Sequence, residues 1–129
     1  MAHAERARSA DAVVFVFPVW WFSVPAVLKG YIDRVWNHGL FYGGGRTPGI
    51  SIARWVGLAG ETEAWFKKRD YDKMLEHYLN VGIAGYCGIE DTRVELFYET
   101  LSETDDVDAY VDSLRARARA VAGQVMTSL

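Results

Sequence analysis

Ala12-Val13-Val14-Phe15-Val16-Phe17, bounded by Asp11 and Pro18, is an unbroken run of apolar and mostly β-branched or aromatic residues. A run this short, without polar alternation, predicts a parallel strand buried on both faces and stopped by Pro18. Just upstream, residues 2–9 are rich in Ala, Arg and Glu and suit the tail of a helix, with Asp11 marking the turn between them. Just downstream, Ser23 reads as a helix cap and Pro25 as a first-turn residue. Val24, Val27, Leu28, Tyr31, Ile32 and Val35 then recur at helical spacing.

The alternation continues along the chain. Residues 37–49 hold five glycines and Pro48 and predict a loop, and Ile50 to Leu58 is the next strand despite Arg54. A third helix is expected from about Asp70, with Tyr71, Met74, Leu75, Tyr78 and Leu79 on one side, losing its pattern near Gly82 and Gly85. Thr92 to Tyr98 reads as a strand near a sheet edge. Thr104 is the expected cap of a final helix, with Asp105, Asp106 and Asp108 in its first turn. Arg115, Arg117 and Arg119 lie further along, and Val107, Tyr110, Val111, Leu114, Val121 and Val125 form its inner stripe. Strands alternating with helices across short loops predict an α/β domain with a parallel sheet and right-handed crossovers.

Composition narrows the function classes. The 129 residues are 50% hydrophobic and 24% charged, which suits one ordinary core. A net charge of −3 and pI of 5.6 supply no basic field for nucleic-acid phosphates. Cys87 is the single cysteine, so no intrachain disulfide is expected, and a reducing cytoplasm is the expected compartment. Three scattered histidines and no HExxH pattern give no reason to expect a metal site.

The chemically suggestive stretch is Pro18-Val19-Trp20-Trp21-Phe22-Ser23-Val24-Pro25, which puts three aromatics at the C-terminal end of a strand. That edge of an open α/β sheet is where ligands bind, and exposed rings there suit a flat conjugated ring system. Packing of the same rings into the core is the alternative. Gly57-Leu58-Ala59-Gly60, after the next strand, is either a plain turn or a place where backbone N–H groups approach a ligand. Glu61, His38 and Tyr42 are polar groups in loops, and Gly43-Gly44-Gly45 lacks the spacing of a phosphate loop. Cys87, without a CxxC partner or a nearby base, reads as a buried thiol.

Pro18, Trp21, Pro25, Leu28-Lys29, Tyr31 and Asp33-Arg34-Val35, continuing through Trp36 to Gly43, resemble the flavin loop and following helix of the NAD(P)H:quinone oxidoreductase family. That family includes mammalian DT-diaphorase and the ancillary oxidoreductase of bacterial glutathione-gated potassium efflux. The resemblance implies a flavodoxin-like three-layer αβα fold with a parallel sheet. It implies FMN (or FAD) as cofactor, NAD(P)H as co-substrate, and a quinone or similar small acceptor reduced by two-electron hydride transfer in a ping-pong cycle. By resemblance, Pro18, Val19, Trp20, Trp21 and Phe22 line the flavin, and Gly57, Leu58, Ala59 and Gly60 stand for the family's second flavin loop, with two of four positions altered. Trp65 and Tyr71 fall near the family's Tyr and His that assist hydride transfer, but neither replaces a His as proton donor. The catalytic acid is left unassigned.

A flavodoxin-like sheet has the order 2-1-3-4-5 and seats the flavin phosphate after strand 1. The chain is expected to begin just before strand 3, so residues 1–129 read as the C-terminal part of a single domain with strands 3 to 5 present. More than roughly 30 residues would then precede it, on the scale of one βαβ unit. Family members are typically homodimers. The alternative reading is a non-catalytic flavodoxin-like subunit docked on a membrane transporter.

Overall fold

The Ala12–Phe17 run forms the first strand of a three-stranded parallel sheet of order β1-β2-β3. The computed structural model describes residues 2–45, 48–100 and 106–129. Helix α1 (Ala2–Arg8) leads into β1 (Ala12–Pro18), followed by α2 (Ala26–Val35), β2 (Ile52–Leu58), α3 (Glu63–Lys68), α4 (Tyr71–Glu76), β3 (Asp91–Phe97) and α5 (Val107–Ser128). A π-helical segment at His77–Ala84 and a 3-10 turn at Gly85–Cys87 join α4 to β3.

The register pairs Phe15 with Trp55 and Trp55 with Val94, so these side chains share one face of the sheet. That face carries the main core, where Phe15 stacks on Trp55 at 5.0 Å and Trp36 lies parallel to Phe41 at 4.9 Å. Ile32 and Val35 of α2, and Leu75 and Leu79 beyond, close over it. The opposite face carries Val56 and Phe97 under Val121 of α5. Arg117 of α5 donates to the Leu96 carbonyl at 2.8 Å and lies 4.2 Å above the Phe97 ring, anchoring the helix over β3.

Burial of β1 differs from the expectation. Phe17 is buried, but Val14 and Val16 are 45% and 66% exposed. The reason is topological: among the described strands β1 pairs only with β2, and α5 sits toward β2 and β3. An apolar cleft of ≈ 340 Å³ therefore opens between Val14, Val16, Val56 and the α5 residues Val111, Leu114 and Val121. A second, of ≈ 350 Å³, lies on the other side of the same strand between Phe15, Pro25, Val27 and Tyr31.

Boundaries and caps shift in instructive ways. β1 runs through Pro18, because proline lacks only a donor and an edge position does not require one. Pro25 rather than Ser23 occupies the cap position of α2, since Ser23 closes a turn with Trp20. β2 begins at Ile52, two residues later than expected. Thr104 and Asp105 lie outside the described residues, and Asp106 caps α5 by accepting from the Ala109 N–H at 2.9 Å.

The single helix expected from Asp70 is two pieces with a different start. Thr62 accepts the Trp65 N–H at 3.2 Å and caps α3, a six-residue helix whose buried side chain is Phe66. With one apolar anchor it leaves little periodicity, although Thr62 followed by Glu63 is a recognisable start signal. Asp70 then breaks the helix in the left-handed conformation (φ 56°). Beyond Glu76 the chain does not stop at Gly82 but widens. The Gly85 N–H donates back five residues to the Asn80 carbonyl, an approach so close that a Cβ at residue 85 would sit 2.8 Å from that oxygen. Asn80 ties the segment to the sheet: Trp55 Nε1 donates to Thr92 Oγ1 at 3.0 Å, and that hydroxyl donates to Asn80 Oδ1 at 2.8 Å.

Arg54 is resolved by an ion pair. Its guanidinium is 1% exposed and reaches Asp91 Oδ1 at 2.9 Å, with further bonds to the carbonyls of Ala53 and Asp91. Among the described residues no helix is long and apolar enough to cross a membrane.

Candidate functional site

At the C-terminal end of β1 the chain reverses within four residues. The Trp20 N–H donates to the Ser23 carbonyl at 3.2 Å, and Ser23 returns the bond to Trp20 at 3.1 Å. The two residues between them, Trp21 and Phe22, both have positive φ, 51° and 57°. This is a type I′ turn, which ordinarily takes Asn-Gly because a Cβ clashes in the left-handed region. Two large aromatics here store strain on the order of 1–3 kcal/mol each, a cost that clusters at ligand sites.

Phe22 is held from one side. Its ring lies on Tyr71 at 3.9 Å with an interplanar angle of 10°, and Trp65 stacks nearby at 5.9 Å from Phe22 and 5.4 Å from Tyr71. Phe66 meets both Phe22 and Tyr71 edge-on. The left-handed Asp70 and the Thr62 cap are what aim Tyr71 and Trp65 back at the turn. Trp21, by contrast, is 93% exposed.

Val19, Trp21, Phe22, Gly60, Glu61, Trp65 and Phe66 line an open cavity of ≈ 550 Å³. Among the described residues the backbone N–H groups of Trp21, Phe22, Gly60 and Glu61 meet no protein acceptor. An aromatic cavity rimmed by four uncommitted amides suits a flat ring with polar atoms along its edge.

The residues expected to line a flavin are thus placed unevenly. Val19, Trp21, Phe22 and Gly60 are together at the cavity. Pro18 ends β1 and borders the outer apolar cleft, while Trp20 holds the turn and is largely exposed. Gly57 and Leu58 belong to β2, and Leu58 turns toward α5. Ala59 is fully buried, with its N–H given to Phe97 and its carbonyl accepting from Thr100 N–H and Oγ1. Gly57 acts through packing: a Cβ there would fall 2.8 Å from Leu96 and 2.9 Å from Val19, so its absence makes room for a cavity residue.

Other singled-out groups lie elsewhere. His38 is exposed and edge-on to Tyr42 at 5.6 Å, in the loop that follows α2. Cys87 is buried, and burial pushes its thiol above the ordinary range. Tyr98 meets Phe66 edge-on, and its phenol is pushed up to about 12, first by burial and then by Asp72, Glu63 and Glu76.

A parallel sheet flanked by helices, with an aromatic cavity at the C-terminal strand ends, defines an α/β protein of the kind that binds flat cofactors at that edge. A family model for the flavodoxin-like fold matches residues 1–121, and the chain belongs to that family. An uncharacterised NAD(P)H oxidoreductase of Escherichia coli (strain K12) is 41% identical over 111 residues, covering 84% of this chain and 56% of that protein. Human ribosyldihydronicotinamide dehydrogenase [quinone] is 41% identical over 98 residues, covering 67% of this chain and 41% of that protein. A solved NAD(P)H:quinone oxidoreductase from Methanothermobacter marburgensis superposes with a TM-score of 0.72 at 30% identity, over 81% of this chain and 53% of that one. The chain spans about half the length of these relatives.

Proposed function

We propose that this chain is the C-terminal part of an FMN-dependent NAD(P)H:quinone oxidoreductase. The observation that carries the reading is the type I′ turn made of Trp21 and Phe22, a strained arrangement of aromatics facing a cavity where the fold places ligands. The names of its relatives in the E. coli, human and archaeal proteins support it. Bound FMN would supply the redox chemistry, taking a hydride equivalent from a dihydronicotinamide and delivering two electrons to the acceptor.

The residues present fit the ring portion of that cofactor. Val19, Trp21 and Phe22 offer aromatic and aliphatic surface, and the Trp21, Phe22, Gly60 and Glu61 amides offer donors for its polar edge, where negative charge grows on reduction. Phe66, Trp65 and Tyr71 hold Phe22 in place. The flavin phosphate is assigned to no residue of this chain, and we place its cradle in an additional strand–loop–helix adjoining β1. A cytoplasmic homodimer is the accompanying proposal. A single buried cysteine supports the compartment, and exposed Met74, Val81 and Tyr86 along α4 and its continuation supply apolar surface for a second copy.

Titrating FMN into the purified chain while following flavin fluorescence tests the reading, with and without an N-terminal extension taken from the E. coli relative. Quenching in either form supports it. Absence of quenching in both overturns it.

A further inference from the structure

We infer that the cleft between α2 and the π-helical segment is a second small-molecule site, which takes a neutral planar heteroaromatic ring through the indole N–H of Trp36. The inference is independent of the oxidoreductase reading and involves no redox step. Trp36 is 5% exposed, and among the described residues its Nε1 meets no acceptor. A buried donor left without an acceptor is costly, so such a group marks a place where a partner belongs. The packed neighbours of the ring cannot supply one. Phe41 lies parallel to it at 4.9 Å, and Phe15 and Trp55 are tilted against it at 6.0 and 6.4 Å, none of them with an accepting oxygen or nitrogen on its ring. Trp36 also lines an open cleft of ≈ 360 Å³, which leaves the cleft as the side from which an acceptor can reach it.

The walls of the cleft define what fits. Tyr78, Gly82 and Ile83 come from the π-helical segment, and widened helical turns recur at functional sites. Gly82 leaves its wall open, since a Cβ there would make only ordinary contacts, 3.7 Å to the Tyr78 ring and 3.9 Å to the His77 carbonyl. Aromatic and apolar walls suit a flat ring, and a volume near the low end of the usual range of about 300–1,000 Å³ limits it to one or two fused cycles. Lys29 and Asp33 also line the cleft but pair with each other at 2.6 Å, so they neutralise one another and favour an uncharged ligand. The cleft is separate from the aromatic cavity. Trp36 closes the C-terminal end of α2, whereas the Trp21–Phe22 turn precedes its first residue. The ten-residue helix, about 15 Å long at ~1.5 Å per residue, lies between them.

The test uses quinoline and naphthalene, two fused rings of nearly the same shape, of which only quinoline carries an accepting nitrogen. Each is titrated into the isotope-labelled full chain at neutral pH while the tryptophan indole N–H resonances are followed by NMR, Trp36 being identified by its loss in Trp36→Phe. Quinoline should move the Trp36 resonance downfield in a saturable manner, and naphthalene should produce no downfield movement. By calorimetry, Trp36→Phe should weaken quinoline about tenfold and naphthalene less than about twofold, the difference being one hydrogen bond. Gly82→Leu should weaken both about tenfold by filling the cleft, and it keeps the indole in place should Trp36→Phe fail to fold. An unmoved Trp36 resonance, an equal loss of both probes in Trp36→Phe, or full affinity in Gly82→Leu overturns the assignment. Movement of the Trp21 and Trp65 resonances alone places the ring in the aromatic cavity and overturns it too. So does an affinity that falls as the chain self-associates, which would show a second copy covering the cleft. No flavin enters this titration, so its outcome is separate from that of the oxidoreductase reading.

Discussion

The Phe22 ring rests flat on Tyr71 at 3.9 Å, joining a strained turn after β1 to the first residue of α4, 49 positions later. Through this contact α4 sets the position of one wall of the cavity. Tyr71→Ala should cost about 1–3 kcal/mol in urea unfolding, combining lost ring stacking with partial loss of apolar burial. It should also weaken flavin binding, whereas Tyr71→Phe should leave both nearly unchanged. Equal flavin affinity in all three proteins would remove Tyr71 from any role in shaping the site.

Trp21 shows the opposite balance, since its left-handed backbone is strained and its side chain is almost wholly exposed. Trp21→Gly should therefore stabilise the chain by about 1 kcal/mol, because glycine adopts that conformation without a Cβ clash. The same variant, and Trp21→Ala, should weaken FMN binding by about 1–3 kcal/mol if the ring contacts the flavin. Thermal melting and flavin fluorescence together check the trade. A destabilised glycine variant with full affinity would contradict both halves.

Arg54 and Asp91 lock the starts of β2 and β3 together at 2.9 Å. Removing the carboxylate leaves a buried guanidinium with only carbonyl partners, so Asp91→Ala should cost about 3 kcal/mol, the low end for a broken buried pair because Asp91 is partly exposed. Arg54→Met should cost less, since it removes the buried charge and leaves only the Asp91 carboxylate, which is partly exposed and can be hydrated. Denaturant midpoints in the two orders would be reversed if the ion pair itself supplied the stability.

Tyr98 makes stability depend on alkaline pH. Its phenol is raised to about 12 in the folded chain, above the ordinary value of 10.0. As pH rises from 10 toward 12 the unfolded chain loses this proton before the folded chain does, so stability present below pH 10 is progressively lost. Tyr98→Phe should flatten that part of the profile, measured by urea unfolding at successive pH values. An identical slope in both proteins would show that other groups govern it.

The outer edge of β1 carries Val14 and Val16, with apolar clefts on both sides of the strand. A hydrophobic strand edge that pairs with no further strand among the described residues invites pairing with another chain, and charge on such an edge suppresses it. Sedimentation should show self-association that grows with concentration, and Val16→Lys should shift the chain toward monomer. A monomer at all concentrations would mean that the exposed edge is not adhesive.

Much of this protein is determined by the sequence alone, because the signals are local. Ala12–Phe17 has no helical period and too few residues for anything but a strand, and Pro18 through Val35 carries a specific pattern of aromatics, prolines and charges. The parallel α/β class, the placement of Val19, Trp21, Phe22 and Gly60 near one edge, and the family followed from those residues. Other features depend on contacts across the chain. The strand expected to end at Leu58 does end there, but Ala59, read as part of a turn open to a ligand, is fully buried with its N–H given to the Phe97 carbonyl. A single apolar anchor hides α3, and Asn80 with Gly85 permits a π-helical segment where glycines suggest an end. The left-handed aromatic pair and the Phe22–Tyr71–Trp65 stack are decided only in three dimensions. Propensity reports what each segment prefers alone, whereas strain persists only where distant residues pack against it.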